Sequence, residues 1–128
     1  MRGNGSSTLL LVDDEYAIVE AVSELLAWEG YQVLTAGDGL QALQAMRVQL
    51  PDLVLTDVMM PRMDGPHLIR AIWDDAMLRE VPILLATAVP SAVPAEIAER
   101  VPVLRKPYDL ERLLAAVERG LGRRSADR

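Results

Sequence analysis

The chain has 128 residues, 51% of them hydrophobic, which suits one domain around one core. A formal net charge of -6 lacks the basic balance that nonspecific nucleic-acid binding requires. With no cysteine and a single histidine, His67, disulfides, thiolate chemistry and a histidine-rich zinc site are excluded. Any metal must then be a hard cation on oxygen ligands.

The opening MRGNGSS has no apolar run of the signal-peptide kind, and no segment reaches membrane-spanning length, so the expected location is cytoplasmic. Residues 1–7 read as a flexible N-terminus. Leu9 to Val12 form a short apolar run that stops at Asp13-Asp14-Glu15, the pattern of a buried strand with acids at its carboxyl end. Ile18, Val22, Leu25 and Leu26 then recur at helical spacing until Gly30, a natural helix stop. Tyr31 to Ala36 is the second strand candidate. Asp38 caps a second helix, with Gln41 three residues on as a capping-box partner and Leu40, Leu43 and Met46 as its apolar stripe.

After Pro51, Leu53 to Thr56 reads as a third buried strand ending at Asp57. Residues 58–65 are a loop punctuated by Pro61 and Gly65, and Pro66 suits the first turn of a third helix carrying Leu68, Ile69 and Ile72. Ile83 to Ala86 forms a fourth strand ending at Thr87. Pro90 and Pro94 confine a fourth helix to a short stretch near residues 93–100. Val101 to Leu104 is the fifth strand candidate, with Pro102 limiting its hydrogen bonding, and Lys106 follows it. Asp109 caps a last helix on Leu110, Leu113, Leu114, Val117 and Leu121, and Tyr108 can staple against Leu113. Residues 123–128 read as a flexible tail. Trp28 and Trp73 are expected to be half-buried packing residues, and His67 a solvent-exposed residue in the first turn of the third helix.

Five strands alternating with five helices, the strands nearly continuous in apolar residues, describe an α/β fold with a parallel sheet covered on both faces. Ligands bind such sheets beyond the carboxyl ends of the strands. Asp13, Asp14, Asp57, Thr87 and Lys106 all follow strands, and so fall on that edge. Clustered carboxylates repel and favour a divalent cation, for which Mg²⁺ suits oxygen ligands. One carboxylate can then attack phosphorus, with the ammonium and the hydroxyl contacting phosphoryl oxygens. Each residue alone also fits a plainer role: an acid cluster favoured by a helix N-terminus, a loop acid, a strand-end threonine, a solvated lysine.

In order and spacing, LLLVDDE, PDLVLTDVMMPRMDG, ILLATA and LRKPYD resemble the receiver domains of two-component response regulators, from about Thr8 to Leu121. The resemblance implies a (βα)5 flavodoxin-like three-layer sandwich of strand order 2-1-3-4-5, with the receiver domain spanning residues 8–122. It implies a phosphoacceptor at Asp57, a switch hydroxyl at Thr87, and Lys106 as the third catalytic group. It implies Mg²⁺ held by Asp14, Asp57 and the backbone carbonyl of Met59, with Asp13 acting largely through water. The implied donor is a histidine kinase or histidine phosphotransfer protein. The implied output is a downstream protein partner or a C-terminal output domain, with homodimerisation through the fourth and fifth helices left open. Neither membrane nor nucleic acid is an expected direct partner. A receiver of this kind catalyses its own phosphorylation and dephosphorylation without being a conventional enzyme.

Two features depart from the family pattern. Val103 stands where the family usually carries a switching aromatic, and the stretch from Thr87 to Lys106 is short and proline-rich, so a short or irregular fourth helix is expected. Both leave room for an alternative function, a receiver-like interaction module that does not depend on phosphorylation. Met59 and Val89, two residues past Asp57 and Thr87, are apolar at positions that flank the path of hydrolytic water in the family, which predicts slow self-dephosphorylation. A phosphatase reading lacks a second acid/base near Asp57, and neither GxxxxGK[ST] nor GxGxxG is present.

Overall fold

A computed structural model of the protein describes residues 7–126. In chain order the elements are β1 (Thr8–Val12), α1 (Tyr16–Trp28), β2 (Gln32–Ala36), α2 (Gly39–Val48), β3 (Leu53–Asp57) and α3 (Gly65–Trp73). They continue with β4 (Ile83–Thr87), a 3₁₀ turn (Pro90–Ala92), α4 (Ala95–Ala98), β5 (Val103–Arg105) and α5 (Leu110–Ala126). The strands form one parallel sheet in the order β2-β1-β3-β4-β5, as the sequence patterns and the family resemblance led one to expect.

Successive strand residues point to opposite faces, and the core divides accordingly. Leu9, Leu11, Leu53, Leu55 and Leu84 pack with Val19, Val22, Leu26, Leu113 and Val117 of α1 and α5. Leu10, Val12, Val54 and Leu85 pack on the other side with Leu43, Met46, Leu68, Ile69, Ile72 and Ile97 of α2, α3 and α4. Both faces of the central strands are therefore apolar, which is why these strands read as continuous hydrophobic runs.

The helix ends follow local chemistry. At the end of α1, Gly30 takes φ 98, and the Leu26 carbonyl accepts the amides of both Glu29 and Tyr31. At the start of α2, the Asp38 carboxylate accepts the Gln41 amide at 2.9 Å. The capping box is modified, because Gln41 Oε1 accepts from the Gly37 amide at 2.9 Å. Asp38 is wholly buried and its other oxygen pairs with the Arg62 guanidinium. Asp64 caps α3 through the His67 amide at 2.9 Å, and Asp109 caps α5 through the Arg112 amide at 2.8 Å. Tyr108 and Leu113 meet in the same apolar cluster, consistent with the staple.

Several expectations are corrected. Trp28 is 87% exposed rather than half-buried, because it lies two residues, about 200° of helix rotation, beyond the buried Leu26. Leu25 and Leu40 are exposed as well, at the border of the faces that bury Val22 and Leu43. Trp73 is partly buried as expected, with the Arg100 guanidinium 3.7 Å from its ring centroid. α4 is shorter than residues 93–100, since Pro90 and Pro94 lack amides, and its first carbonyl acceptor is Pro94 itself. β5 begins at Val103 because the Val101 amide donates to Ile97 and closes α4, while the Pro102 carbonyl still accepts from Leu85. α5 continues through Ala126, four residues past the expected domain end at 122. No proline interrupts the stretch. The Ser7 carbonyl accepts the Gln32 amide at 3.0 Å. Residues 1–6 and 127–128 lie outside the described residues.

The Gln41 amide and the Arg62 guanidinium hold the Asp38 carboxyl below the usual carboxylate range, against the cost of its burial. The folded protein thus binds this proton less readily than the unfolded chain. The resulting stability is present above the unfolded value of about 3.9 and is lost as pH falls through the folded value. Asp38→Asn retains the cap but not the ion pair. It is expected to be less stable by about 1 kcal/mol at neutral pH, with the gap closing in acid, as urea unfolding at a series of pH values will measure.

Candidate functional site

Parallel pairing sets the carboxyl ends of β1, β3, β4 and β5 side by side. The register pairs Asp57 with Ala86 and Thr87 with Arg105, so the residues that follow fall at one level. Asp13 continues β1 and is buried, its amide donating to the Ala36 carbonyl at 3.1 Å. Its Oδ1 accepts the Glu15 amide at 3.0 Å. Asp14 beside it is exposed. Asp57 ends β3 with only 16% of its side chain exposed, and its Oδ1 accepts the Val58 amide at 2.8 Å. Lys106 Nζ lies 3.4 Å from Oδ2 of both Asp13 and Asp57. One ammonium therefore bridges the acids of two strands that are neighbours in the sheet but far apart in sequence.

Thr87 is buried at the end of β4. Its Oγ1 accepts the Val89 amide at 3.0 Å and its carbonyl accepts the Lys106 amide at 2.8 Å. Asp13, Asp14 and Asp57 each bring a carboxylate oxygen within 4.8 Å of the others. All the acids expected at the site are thus together, with Lys106 against two of them. Met59 lies two residues past Asp57 with an exposed side chain, while Met60 and Met63 pack against the core. Val103 is half-buried against the α2–α3–α4 side of the core, opposite Leu85 in the ladder.

Burial is the foremost cause that raises the Asp57 carboxyl above its ordinary value. The Lys106 charge and the Val58 amide pull the other way, and Asp13 adds to the rise. Burial alone would lower the Lys106 ammonium, but the Asp57 and Asp13 carboxylates outweigh it and raise it. One cation facing three acids leaves surplus negative charge in a partly buried place. The donor set is all oxygen, and it fits a hard divalent cation.

Two supports of this site were not evident beforehand. A Cβ on Gly65 would stand 2.3 Å from the Asp57 carbonyl oxygen, and the Gly65 amide donates to the Val58 carbonyl at 2.8 Å. Gly65 was legible as loop punctuation, but its close approach to the end of β3 was not. Arg62 is the second, at φ 64 and paired to Asp38. An arginine in a Pro/Met-rich loop carries no local signal for that partner.

The response regulator receiver domain model matches residues 9–118. The chain belongs to this family. Response regulator MprA of Mycobacterium sp. (strain KMS) is 38% identical over 127 residues, an alignment covering 93% of this chain and 52% of MprA. Response regulator PleD of Caulobacter vibrioides is 44% identical over 84 residues, covering 66% of this chain and 18% of PleD. The receiver domain therefore spans about half the length of MprA and far less of PleD. Among solved structures, chemotaxis response regulator CheY4 of Vibrio cholerae superposes with a TM-score of 0.81 at 31% identity, covering 89% of this chain and 98% of that one. NtrX from Brucella abortus superposes at 0.83 with 29% identity, covering 95% of this chain and 29% of NtrX.

Within the receiver domain, the Gly65 contact ties the site to the loop. Gly65→Ala should cost about 1–3 kcal/mol in urea unfolding, because backbone faces the new methyl group and little can give way. It should also shift the Val58 amide resonance.

Proposed function

We propose that this receiver domain is a phosphorylation-dependent signalling switch. It accepts a phosphoryl group on Asp57 from a histidine kinase or histidine phosphotransfer protein, and regulates a downstream partner or an attached output module. The single observation that carries this reading is Lys106 Nζ at 3.4 Å from both Asp13 and Asp57, at the carboxyl edge of the sheet. A structural ion pair needs one acid. A second carboxylate on the same ammonium, with a third close by, costs repulsion and makes sense where charge is to be transferred.

In the reaction a carboxylate oxygen of Asp57 forms a bond to phosphorus as the phosphorus–nitrogen bond of the donor histidine breaks, and the imidazole leaves with the bonding pair. The product is an acyl phosphate. Lys106 moves its charge from the carboxylate to a phosphoryl oxygen. The Thr87 oxygen already accepts the Val89 amide, so its hydroxyl proton is available to donate to another phosphoryl oxygen. Asp13, Asp14, Asp57 and the Met59 carbonyl are the groups that would hold Mg²⁺. When bound, the ion offsets charge on the phosphoryl oxygens and on the attacking carboxylate. The relatives MprA and PleD extend well beyond the matched region, which favours an output module joined to such a domain. A cytoplasmic setting, no direct contact with membrane or nucleic acid, and a homodimer as one mode of output belong to the same proposal. No helix among the described residues is long and apolar enough to cross a membrane.

The alternative, an interaction module independent of phosphorylation, is favoured by Val103 and by the four-residue α4. Valine has no ring to turn inward when Thr87 engages a phosphoryl group, so the usual route from the site to the surface is missing.

Intact-mass measurement after incubation with acetyl phosphate separates the two readings. The switch predicts a Mg²⁺-dependent gain of one phosphoryl group that Asp57→Ala abolishes. No gain from either acetyl phosphate or a phosphorylated kinase, together with no binding of beryllofluoride and Mg²⁺, would favour the interaction module. The exposed apolar side chains of Met59 and Val89 cannot orient water by hydrogen bonding. Met59→Asn is therefore expected to shorten the acyl-phosphate lifetime in a decay assay.

A further inference from the structure

The corner between β2 and α2 touches two arms of the site at once. Its Ala36 carbonyl holds the Asp13 amide at 3.1 Å. Its Gly39 amide donates to the Met63 carbonyl at 2.9 Å, and Met63 lies so close over Gly39 that a Cβ there would stand 2.5 Å from Met63 Cγ. Between these two contacts sits Asp38, fully buried, with one oxygen on the Gln41 amide and the other on the Arg62 guanidinium. The loop from Val58 to Asp64 is thus held at both ends. Gly65 and the Val58 carbonyl secure its start, and Arg62 and Met63 secure its far end against the same corner that holds Asp13.

Arg62 achieves this in the left-handed region, at φ 64, where glycine is favoured and an L side chain is not. The guanidinium remains largely in solvent, and Asp38 needs only the Gln41 amide to cap α2. Helix capping therefore does not explain why an arginine stands in this conformation. Its contact does explain how a loop bearing Met59 is fixed relative to Asp13 and Asp57.

We propose that Asp38 and Arg62 are positioning residues for the divalent-cation site: their ion pair clamps the Met59 loop to the corner that also holds Asp13. The inference rests on the phosphoryl-switch reading, and extends it to side chains that touch neither phosphoryl group nor cation. Mg²⁺ demands near-ideal oxygen geometry, so a loop that samples several positions lowers the apparent affinity by the fraction of time it spends in the competent one.

The test is a Mg²⁺ titration of the ¹⁵N-labelled protein followed by amide shifts near Asp13 and Val58, with urea unfolding run on the same samples. Arg62→Gly suits the backbone conformation without strain and removes the pair, whereas Asp38→Asn keeps the cap and removes the charge. Each is expected to weaken Mg²⁺ binding by about tenfold while remaining folded, the size of effect typical of groups that orient metal ligands. Arg62→Lys should largely restore affinity, and the Asp38→Asn/Arg62→Gly double variant should be no weaker than either single one, since both remove the same contact. Wild-type affinity in folded Arg62→Gly and Asp38→Asn, or losses that add in the double variant, would overturn the clamp while leaving the switch reading intact. Absence of Mg²⁺ binding by the wild type would overturn the switch reading and the clamp with it.

Discussion

The arrangement of this domain turns on one ammonium group shared by two carboxylates. Lys106 reaches Asp13 and Asp57 at equal distance, across the point where β1 and β3 lie side by side and the chain's crossovers leave in opposite directions along the sheet. Parallel strands are needed for this, because only then do all the strand ends that carry polar residues lie on one edge. The acids cannot move apart to relieve their repulsion, since each is the continuation of a strand whose preceding residues are locked in the core. Lys106 and the backbone amides of Val58 and Glu15 offset part of the charge. What remains is a place where added positive charge, or transfer of negative charge to a bound group, is favourable.

The rest of the upper edge serves to keep those groups where the core leaves them. Gly65 lets the start of α3 approach the Asp57 carbonyl more closely than any side chain permits. The Asp38–Arg62 pair and the Gly39–Met63 contact hold the intervening loop. These contacts come from the β2–α2 corner and the head of α3, on the face of the sheet opposite α1 and α5. The loop is therefore supported from one side, and the other side of the site remains bounded by α1 and the start of α5.

The part of the molecule around α4 and β5 is built more sparingly. α4 has four residues, preceded by a 3₁₀ turn, and one wholly buried side chain, Ile97, anchors it to the sheet. Arg100 over Trp73 and Arg70 with Glu96 at 2.9 Å add lateral ties to α3. Val103 is partly buried against the same core face. β5 carries no aromatic ring, and α4 is the lightly held element of this face. A single apolar anchor and exposed polar ties can be displaced at lower cost than a long packed helix.

The parts legible in the sequence were those set by local pattern. Alternating apolar strands and helices, Gly30 at the end of α1, and the caps at Asp38 and Asp109 follow from periodicity and backbone chemistry, which act over a few residues. The strand-end positions of Asp13, Asp57, Thr87 and Lys106 follow from the same pattern once the strands are read as parallel. Exposure of Trp28, the start of β5 at Val103 and the continuation of α5 to Ala126 were less accessible, because they depend on how a helix is rotated and how many hydrogen bonds its neighbours leave unused. The role of Arg62 lay wholly outside local pattern. Its partner is 24 residues away, and the pairing exists only because the β2–α2 corner and the β3–α3 loop are brought together by adjacent strands. By itself the sequence determined which groups stand at the site edge. The tertiary structure decided which of them share a charge and what holds the loop beside them, because electrostatic pairing depends on distance through space and not along the chain.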